Sequence, residues 1–176
     1  MKLKQFNFKK INSTNQTAIR LLKNPNNNYG LVVTENQSNG RGQYGRKWIS
    51  YKGNIFVSFF FKLEDFSFSL KNFTRLNCLL VKKLLSIYYK KRIVFKRPND
   101  LLIKEKKICG ILQETVTKLN KKYLIVGIGI NLIRSPLIRK YPTTSFYELL
   151  NKRISKNKVE KELKKIFELK LTKLYK

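Results

Sequence analysis

The chain has 176 residues, of which 39 are lysine or arginine and 10 are aspartate or glutamate, so its formal net charge is +29. A chain of this length is too short for two domains that each have a sizeable core. A hydrophobic fraction of 42% argues against disorder, so we expect one globular domain over residues 1–176. The longest apolar run, Ile55–Phe61, is far shorter than the ~20 residues of a transmembrane helix. The N-terminus lacks the continuous apolar core of a secretory signal. Both observations favour a soluble cytoplasmic protein over a membrane or secreted one.

The N-terminal half of the sequence predicts one helix and two strands. A short helix over Gln16–Lys23 follows the capping residues of the segment STN and has an apolar face. Turn-forming residues at Pro25–Gly30 lead into a buried strand at Leu31–Asn36, which enters a glycine-rich loop. The β-branched and aromatic residues of Asn54–Leu63 indicate a second strand after that loop.

The C-terminal half predicts two helices and a run of strands. The helices are Lys71–Lys90 and Lys156–Tyr175, both with apolar residues at helical spacing. The strands are Arg92–Lys96, two strands within Leu101–Thr115 folded about Lys104–Lys106, and Lys122–Leu132, where Gly127 and Gly129 permit close approach of another group. This order favours an α+β fold with a mixed, largely antiparallel sheet flanked by helices.

The side chains available limit the chemistry. The chain has no histidine, which excludes Ser-His-Asp, Cys-His and His-metal sites, and its carboxylates form no obvious pair for glycosidase chemistry. Cys78 and Cys109 lie far apart without metal-site spacing, so we expect two reduced core thiols. Arg, Lys, backbone N–H and neutral polar groups remain, and these suit the stabilisation of negative charge on a phosphoryl or carboxylate centre.

The excess of lysine could indicate a nucleic-acid-binding module, because clustered cations displace counterions from phosphates. Here the lysines occur in nearly every segment, and the chain is also rich in Asn and Ile with Ala18 as its single alanine. Drift in an A/T-rich genome explains that bias, so we expect neither a nucleic-acid partner nor a membrane partner.

The segment NGRGQYGRKW at Asn39–Trp48 contains G-x-G-x-x-G beside basic residues, a pattern typical of phosphate-binding loops. A strand rather than a helix is predicted after it, which argues against a dinucleotide fingerprint, and the partner motifs of a protein kinase are absent. From the loop alone, a tight connection with solvated basic residues stays open.

Five segments together resemble the signatures of biotin–protein ligases, in order and approximate spacing, over about residues 12–150. They are Asn12–Asn15 (NSTN), Gln37–Trp48 (QSNGRGQYGRKW), Lys96–Asp100 (KRPND), Lys107–Glu114 (KICGILQE) and Gly127–Asn131 (GIGIN). The resemblance implies a catalytic domain similar to that of class II aminoacyl-tRNA synthetases. It also implies ATP-dependent activation of biotin as biotinyl-5′-AMP with Mg²⁺, followed by transfer to a lysine of the biotin carboxyl carrier domain of acetyl-CoA carboxylase.

The resemblance implies a biotin site in which neutral polar groups meet the ureido ring and Arg41 meets the carboxylate and the adenylate phosphate. Its expected members are Ser13, Thr14, Asn15, Gln37, Arg41, Gly42, Gln43, Ser58, Lys107 and Gly110. Lys107 and Arg41 are the expected catalytic residues, with Lys107 stabilising charge on the α-phosphate. A purely structural alternative is that Ser13 or Thr14 serves only as a helix cap.

The resemblance also implies an ATP site formed by Gly40, Gly45, Arg46, Trp48, Lys96, Asn99, Asp100 and Asn131. Two positions depart from the family pattern: Gln43 stands where arginine is common, and Arg97 stands where tryptophan is usual. We expect neither an N-terminal DNA-binding domain nor a C-terminal β-barrel, and a monomer or weak homodimer. A lipoate ligase-like acyltransferase is the alternative within the superfamily.

Overall fold

The computed structural model describes residues 1–63, 69–138 and 141–175. Its strands are β1 (Lys4–Ile11), β2 (Tyr29–Gln37), β3 (Ile55–Leu63), β4 (Val94–Lys96), β5 (Asp100–Ile103), β6 (Lys106–Lys118) and β7 (Lys121–Ile130). Its α-helices are α1 (Thr14–Leu22), α2 (Leu70–Tyr88), α3 (Phe146–Leu150) and α4 (Lys156–Leu174), and a short 3-10 turn lies at Gln43–Gly45. Among the described helices, none combines the length and the apolarity needed to cross a membrane.

The described strands form one seven-stranded sheet in the order β1-β2-β3-β7-β6-β5-β4. Strands β1 and β2 pair in parallel, with Ile11 opposite Gln37, and the other neighbouring strands pair antiparallel. This arrangement confirms the predicted mixed, largely antiparallel sheet.

Successive side chains of each strand point to opposite faces of the sheet, so the core is divided between the two faces. Residues such as Val126 and Phe59 point to the face covered by α2 and α4, where Phe59 stacks on Phe167 of α4 with ring centroids 3.9 Å apart. The intervening residues, such as Phe60 and Ile125, point to the opposite face and pack with α1 in a smaller cluster. The α1 face therefore has less apolar filling, and it is the face on which a cavity forms.

Most predicted elements are confirmed, and two were missed. The predicted fold at Lys104–Lys106 is the turn between β5 and β6, in which Lys104 and Glu105 have positive φ. Strand β1 was not predicted because its alternating Phe6 and Phe8 lie among basic residues at an exposed sheet edge. Helix α3 was missed because it has only five residues, although Ser145 and Glu148 form a capping box at its start.

Both cysteines are buried and free, as predicted. Burial is the main cause that raises the pKa of Cys78 to about 12 and holds the pKa of Cys109 well above its ordinary value. Both thiols are therefore protonated at neutral pH, and neither acts as a nucleophile.

Candidate active site

A cavity of about 660 Å³ lies on the α1 face of the sheet, between the start of α1, the glycine-rich loop and residues 136–138 and 141–143. It brings together most of the residues predicted from the sequence. These are Ser13, Thr14, Asn15, Gln37, Arg41, Gly42, Gln43, Arg46, Trp48, Asn99, Asp100, Lys107, Gly110 and Asn131.

One end of the cavity is neutral and polar because two parallel strands finish side by side there. Register places Gln37 opposite Ile11, the residue of β1 that precedes the segment leading into α1. The Gln37 side-chain oxygen accepts from the backbone N–H of Thr14 at 2.8 Å and from its hydroxyl at 3.1 Å. Ser13 occupies the helix N-cap but makes no capping hydrogen bond through its side chain, so capping does not account for its buried hydroxyl.

Asn15 completes this polar end and is held on both sides. Its amide nitrogen donates to Glu114 Oε2 at 2.7 Å and to the Leu112 carbonyl at 3.3 Å, while its oxygen accepts from the Ser58 hydroxyl at 2.5 Å. Ser58 is fully buried beneath Asn15. The structure therefore corrects the prediction for Ser58, because Asn15 covers it and keeps it out of the cavity wall.

The glycine-rich loop is a small hairpin. The Gly42 N–H donates to the Arg46 carbonyl at 2.7 Å, and the Trp48 N–H donates to the Gly40 carbonyl at 2.9 Å. No α-helix follows the loop before β3, which rules out the dinucleotide fingerprint. Gly40 and Gly45 were predicted in the ATP site but do not line the cavity. Gly40 is buried against the Trp48 backbone carbonyl, and Gly45 has φ +72° with no atom near its Cβ position.

Arg41 is the loop residue that turns back toward the sheet. Its Nη2 lies 2.6 Å from Glu114 Oε1, and its side chain is 37% exposed. The alternative in which the basic residues of the loop are only solvated is therefore wrong for Arg41. Glu114 belongs to the segment KICGILQE quoted above, but no role was predicted for it from the sequence.

Glycines of β6 and β7 form the floor of the cavity. A Cβ atom at Gly129 would lie 2.4 Å from the Trp48 ring, and one at Gly110 would lie 2.7 Å from it. At Gly127 the nearest atom would be Asn15 Oδ1, at 2.2 Å. The predicted close approach at Gly127 and Gly129 is therefore confirmed, and the groups that approach are Asn15 and Trp48.

Lys107 stands at the cationic end of the cavity in a defined setting. Its Nζ lies 2.7 Å from Asp100 Oδ1 and 5.3 Å and 5.4 Å from the ring centroids of Trp48 and Tyr141. The Tyr141 hydroxyl donates to Asp100 Oδ2 at 2.5 Å. Lys107 is thus oriented by one carboxylate and two aromatic faces.

Three predicted nucleotide-site residues have structural contacts. The Asn99 amide donates to the Ile111 carbonyl at 2.6 Å, and the buried Asn131 amide donates to the Thr144 carbonyl at 3.1 Å, although both residues also line the cavity. Lys96 does not line it, because its ammonium lies over the Tyr141 ring, 4.8 Å from the centroid. The prediction for Lys96 is corrected accordingly.

Tyr141 was missed because no motif surrounds it. It reaches the site because its neighbours pair with the backbone of Lys107: the Lys107 N–H donates to the Pro142 carbonyl at 2.8 Å, and the Thr144 N–H donates to the Lys107 carbonyl at 3.0 Å. Burial, followed by the hydrogen bond to Asp100, raises the pKa of Tyr141 to about 12. The phenol is therefore a neutral donor at physiological pH.

Replacing Tyr141 with phenylalanine is expected to destabilise the protein by about 1–2 kcal/mol at pH 8, because a buried carboxylate oxygen loses its donor. The pKa of Tyr141 is higher in the folded protein, so its contribution is complete below the ordinary value of 10 and is lost as pH rises toward 12. Urea denaturation at pH 8 and pH 11 measures this. A difference between wild type and variant that does not shrink at pH 11 contradicts the assignment, and Tyr147→Phe, on an exposed tyrosine, is the matched control.

Comparison with known proteins agrees with this geometry. A model of the biotin/lipoate A/B protein ligase family matches residues 7–131. The bifunctional ligase/repressor BirA of Bacillus spizizenii is 34% identical over 124 residues, which cover 69% of this chain and 38% of the relative. The BirA protein of Escherichia coli is 30% identical over 102 residues, which cover 57% of this chain and 32% of the relative. The chain thus spans about a third of the length of these relatives.

Solved structures show the same fold. The biotin protein ligase of Aquifex aeolicus in complex with biotin and ATP has a TM-score of 0.80 and 31% identity, and the match covers 97% of this chain and 71% of that one. The biotin protein ligase of Leishmania major in complex with biotinyl-5-AMP has a TM-score of 0.76 at 21% identity over 91% of this chain and 71% of that one, which is a likeness of fold. Since the family model matches more than half of the residues, the chain belongs to the biotin/lipoate A/B protein ligase family.

Proposed function

We propose that the chain is an ATP-dependent biotin–protein ligase. The observation that carries this proposal is the polarity of the cavity described above. Its polar end offers neutral donors and acceptors from Ser13, Thr14, Asn15 and Gln37. The cation Arg41 lies beside that end, since it shares Glu114 with Asn15, and the cation Lys107 lines the same cavity. Biotin has the matching form, with a neutral ureido ring at one end of an aliphatic chain and a carboxylate at the other.

In the first step, a carboxylate oxygen of biotin attacks the α-phosphorus of ATP. A new P–O bond forms, the bond to the β-phosphate oxygen breaks, and pyrophosphate leaves, so no proton has to move. The main barrier is the approach of two anions and the charge that builds on the phosphoryl oxygens. Lys107 has two further N–H groups besides the one facing Asp100, and Arg41 has further N–H groups besides the one facing Glu114. These groups supply the charge that the step needs, which is consistent with a site without histidine.

In the second step, a neutral lysine amine of the acceptor attacks the carbonyl carbon of the acyl-adenylate. An amide bond forms, the bond to the phosphate oxygen breaks, and AMP leaves while the amine proton passes to solvent. We propose a biotin carboxyl carrier domain, such as that of acetyl-CoA carboxylase, as the acceptor.

Magnesium enters this proposal as part of the substrate Mg·ATP. Among the described residues, no group of three or more His, Cys, Asp or Glu side chains could hold a metal ion. Asp100, the carboxylate that lines the cavity, already faces Lys107 with one oxygen and Tyr141 with the other. The site therefore does not fit a resident Mg²⁺, and the phosphates of the nucleotide are its natural ligands.

The polar end also argues for biotin over lipoate as the acyl group. A dithiolane ring has no strong hydrogen-bonding group, so lipoate would leave the buried Ser13 hydroxyl, which makes no capping hydrogen bond, without a partner. Leaving buried polar groups unsatisfied costs about 1–3 kcal/mol for each group. A preference for lipoate in competition would contradict the proposal.

The direct test incubates the protein with radiolabelled biotin, Mg·ATP and a biotin-acceptor domain. Pyrophosphate release and label on the acceptor lysine are expected. An acceptor domain with its target lysine replaced by arginine is the control, and it must remain unlabelled. Absence of both pyrophosphate release and label would exclude the function.

Gln43 lines the cavity at the start of the 3-10 turn and holds no charge. Replacing Gln43 with arginine is expected to lengthen the half-life of the bound acyl-adenylate by about tenfold, because an added cation beside the phosphate contributes about 1–2 kcal/mol. Half-lives are measured by chasing labelled intermediate without acceptor. Equal half-lives for the two proteins would contradict this prediction. Asn39→Arg, which adds the same charge at an exposed position of the same loop outside the cavity wall, is the control.

A further inference from the structure

Glu114 lies behind the cavity and connects two elements that line it. Its Oε2 accepts from the Asn15 amide of α1 at 2.7 Å, and its Oε1 faces Arg41 Nη2 of the glycine-rich loop at 2.6 Å. Glu114 is not itself part of the cavity wall. Each carboxylate oxygen therefore contacts a different element that lines the cavity.

The strand explains why the carboxylate points this way. Leu112 and Glu114 of β6 face α1, since Leu112 lines the cavity and the Glu114 carboxylate contacts Asn15, whereas Gln113 between them accepts from Asn77 of α2 on the opposite face. This is the ordinary alternation of a β-strand. The position is thus determined by the sheet and does not depend on the conformation of the loop.

The pair leaves most of the arginine available. Within the part of the chain that the structure describes, the Arg41 guanidinium has one side-chain partner, and it uses a single terminal nitrogen. Its remaining N–H groups lie in a rigid plane that suits a second oxyanion. The Arg41–Glu114 ion pair is partly exposed and therefore contributes little to the stability of the fold. Its main effect is to fix the position of the guanidinium.

We infer that Glu114 is a positioning residue for the first chemical step, an inference that rests on the proposed function. The carboxylate holds the Arg41 guanidinium by one nitrogen, so that its other N–H groups face the point where the acyl carboxylate meets the α-phosphate. The same carboxylate also orients Asn15 of the polar end, so one residue positions a group that would contact the neutral ureido ring and the cation that would contact the acyl carboxylate.

The test compares Glu114→Gln with the unaltered protein. The amide has the same shape and its oxygen still accepts from Asn15, but it no longer pairs with a cation. The kcat for acyl-adenylate formation is expected to fall about tenfold or more, because a misplaced catalytic group loses its orientation. The KM for biotin is expected not to rise, since the variant removes a negative charge near an anionic substrate.

Two controls separate positioning from a general structural role. Glu35→Gln removes the same charge from an exposed position of β2 and is expected to leave kcat unchanged. Biotin affinity is followed through Trp48, the only tryptophan of the chain, which lies in the cavity wall. Affinity of Glu114→Gln within about twofold of wild type, together with reduced kcat, supports the inference. A higher KM with unchanged kcat overturns it.

A double mutant tests whether Glu114 acts through Arg41. Contacting residues that act as one unit are not additive. Adding Glu114→Gln to Arg41→Gln is therefore expected to cause no further loss, and a second full loss of rate overturns the inference. If wild type forms no acyl-adenylate at all, the proposed function fails and the inference with it. If wild type is active and Glu114→Gln matches it, only the inference fails.

Discussion

Replacing Lys107 with alanine is expected to lower the rate of acyl-adenylate formation by about 10²- to 10³-fold, the usual effect of removing one group that stabilises transition-state charge. The ammonium is held by Asp100 and by two aromatic rings at the cationic end of the cavity. In the variant, two anions have to approach without that charge. Pyrophosphate release in a single-turnover experiment is the measurement, with biotin affinity determined separately.

Lys106→Ala is the matched control for Lys107→Ala. Lys106 is the preceding residue of the same strand, and its side chain is exposed. It removes the same charge from the same region without touching the cavity, and its rate should equal that of wild type. Equal losses from both variants would show that net charge matters rather than the position of Lys107.

Replacing Gly129 with alanine is expected to weaken biotin binding by about ten- to hundredfold. The added Cβ would lie 2.4 Å from Cε2 of Trp48, so the indole has to leave its place on the sheet. Overpacking of this kind costs about 1–3 kcal/mol, and every 1.4 kcal/mol is tenfold in affinity. Calorimetric titration with biotin is the suitable measurement, because the fluorescence of a displaced Trp48 no longer reports binding.

Gly30→Ala separates this local effect from a general loss of stability. A Cβ at Gly30 would lie 2.6 Å from the Phe60 ring, so this variant also crowds an aromatic residue of the same sheet. Gly30 does not line the cavity. Both variants should melt at lower temperature, but Gly129→Ala alone should lose affinity. Equal affinities for the two variants would show that Trp48 does not need the glycine floor.

The parts of the site that could be predicted from the sequence lie in short contiguous segments. Ser13–Asn15 forms one side of the polar end, and the glycine-rich loop carries both Arg41 and Trp48. The residue types of the loop were enough to indicate an anion site, whereas the neutral polar site at Ser13–Asn15 was predicted from the resemblance to biotin–protein ligases. The central strands of the sheet could also be predicted, because they consist of runs of β-branched and aromatic residues.

The partners that orient these residues could not be predicted, because they come from distant parts of the chain. Glu114 is 73 residues from Arg41, and Tyr141 is 41 residues from Asp100. No periodicity or motif connects such pairs before the sheet is formed. For the same reason, the sequence could not show that Ser58, which lies on the expected strand, is covered by the distant residue Asn15.

The parallel pairing of β1 and β2 has a consequence for how relatives of this chain can vary in length. The two halves of the polar end meet because Ile11 lies opposite Gln37 and the Ser38 N–H donates to the Ile11 carbonyl at 3.0 Å. Strand register, not the connecting chain, sets their separation. Insertions and deletions at residues 23–28, between α1 and β2, are therefore expected to leave the polar end of the cavity intact, so the spacing of the motifs can change at this turn.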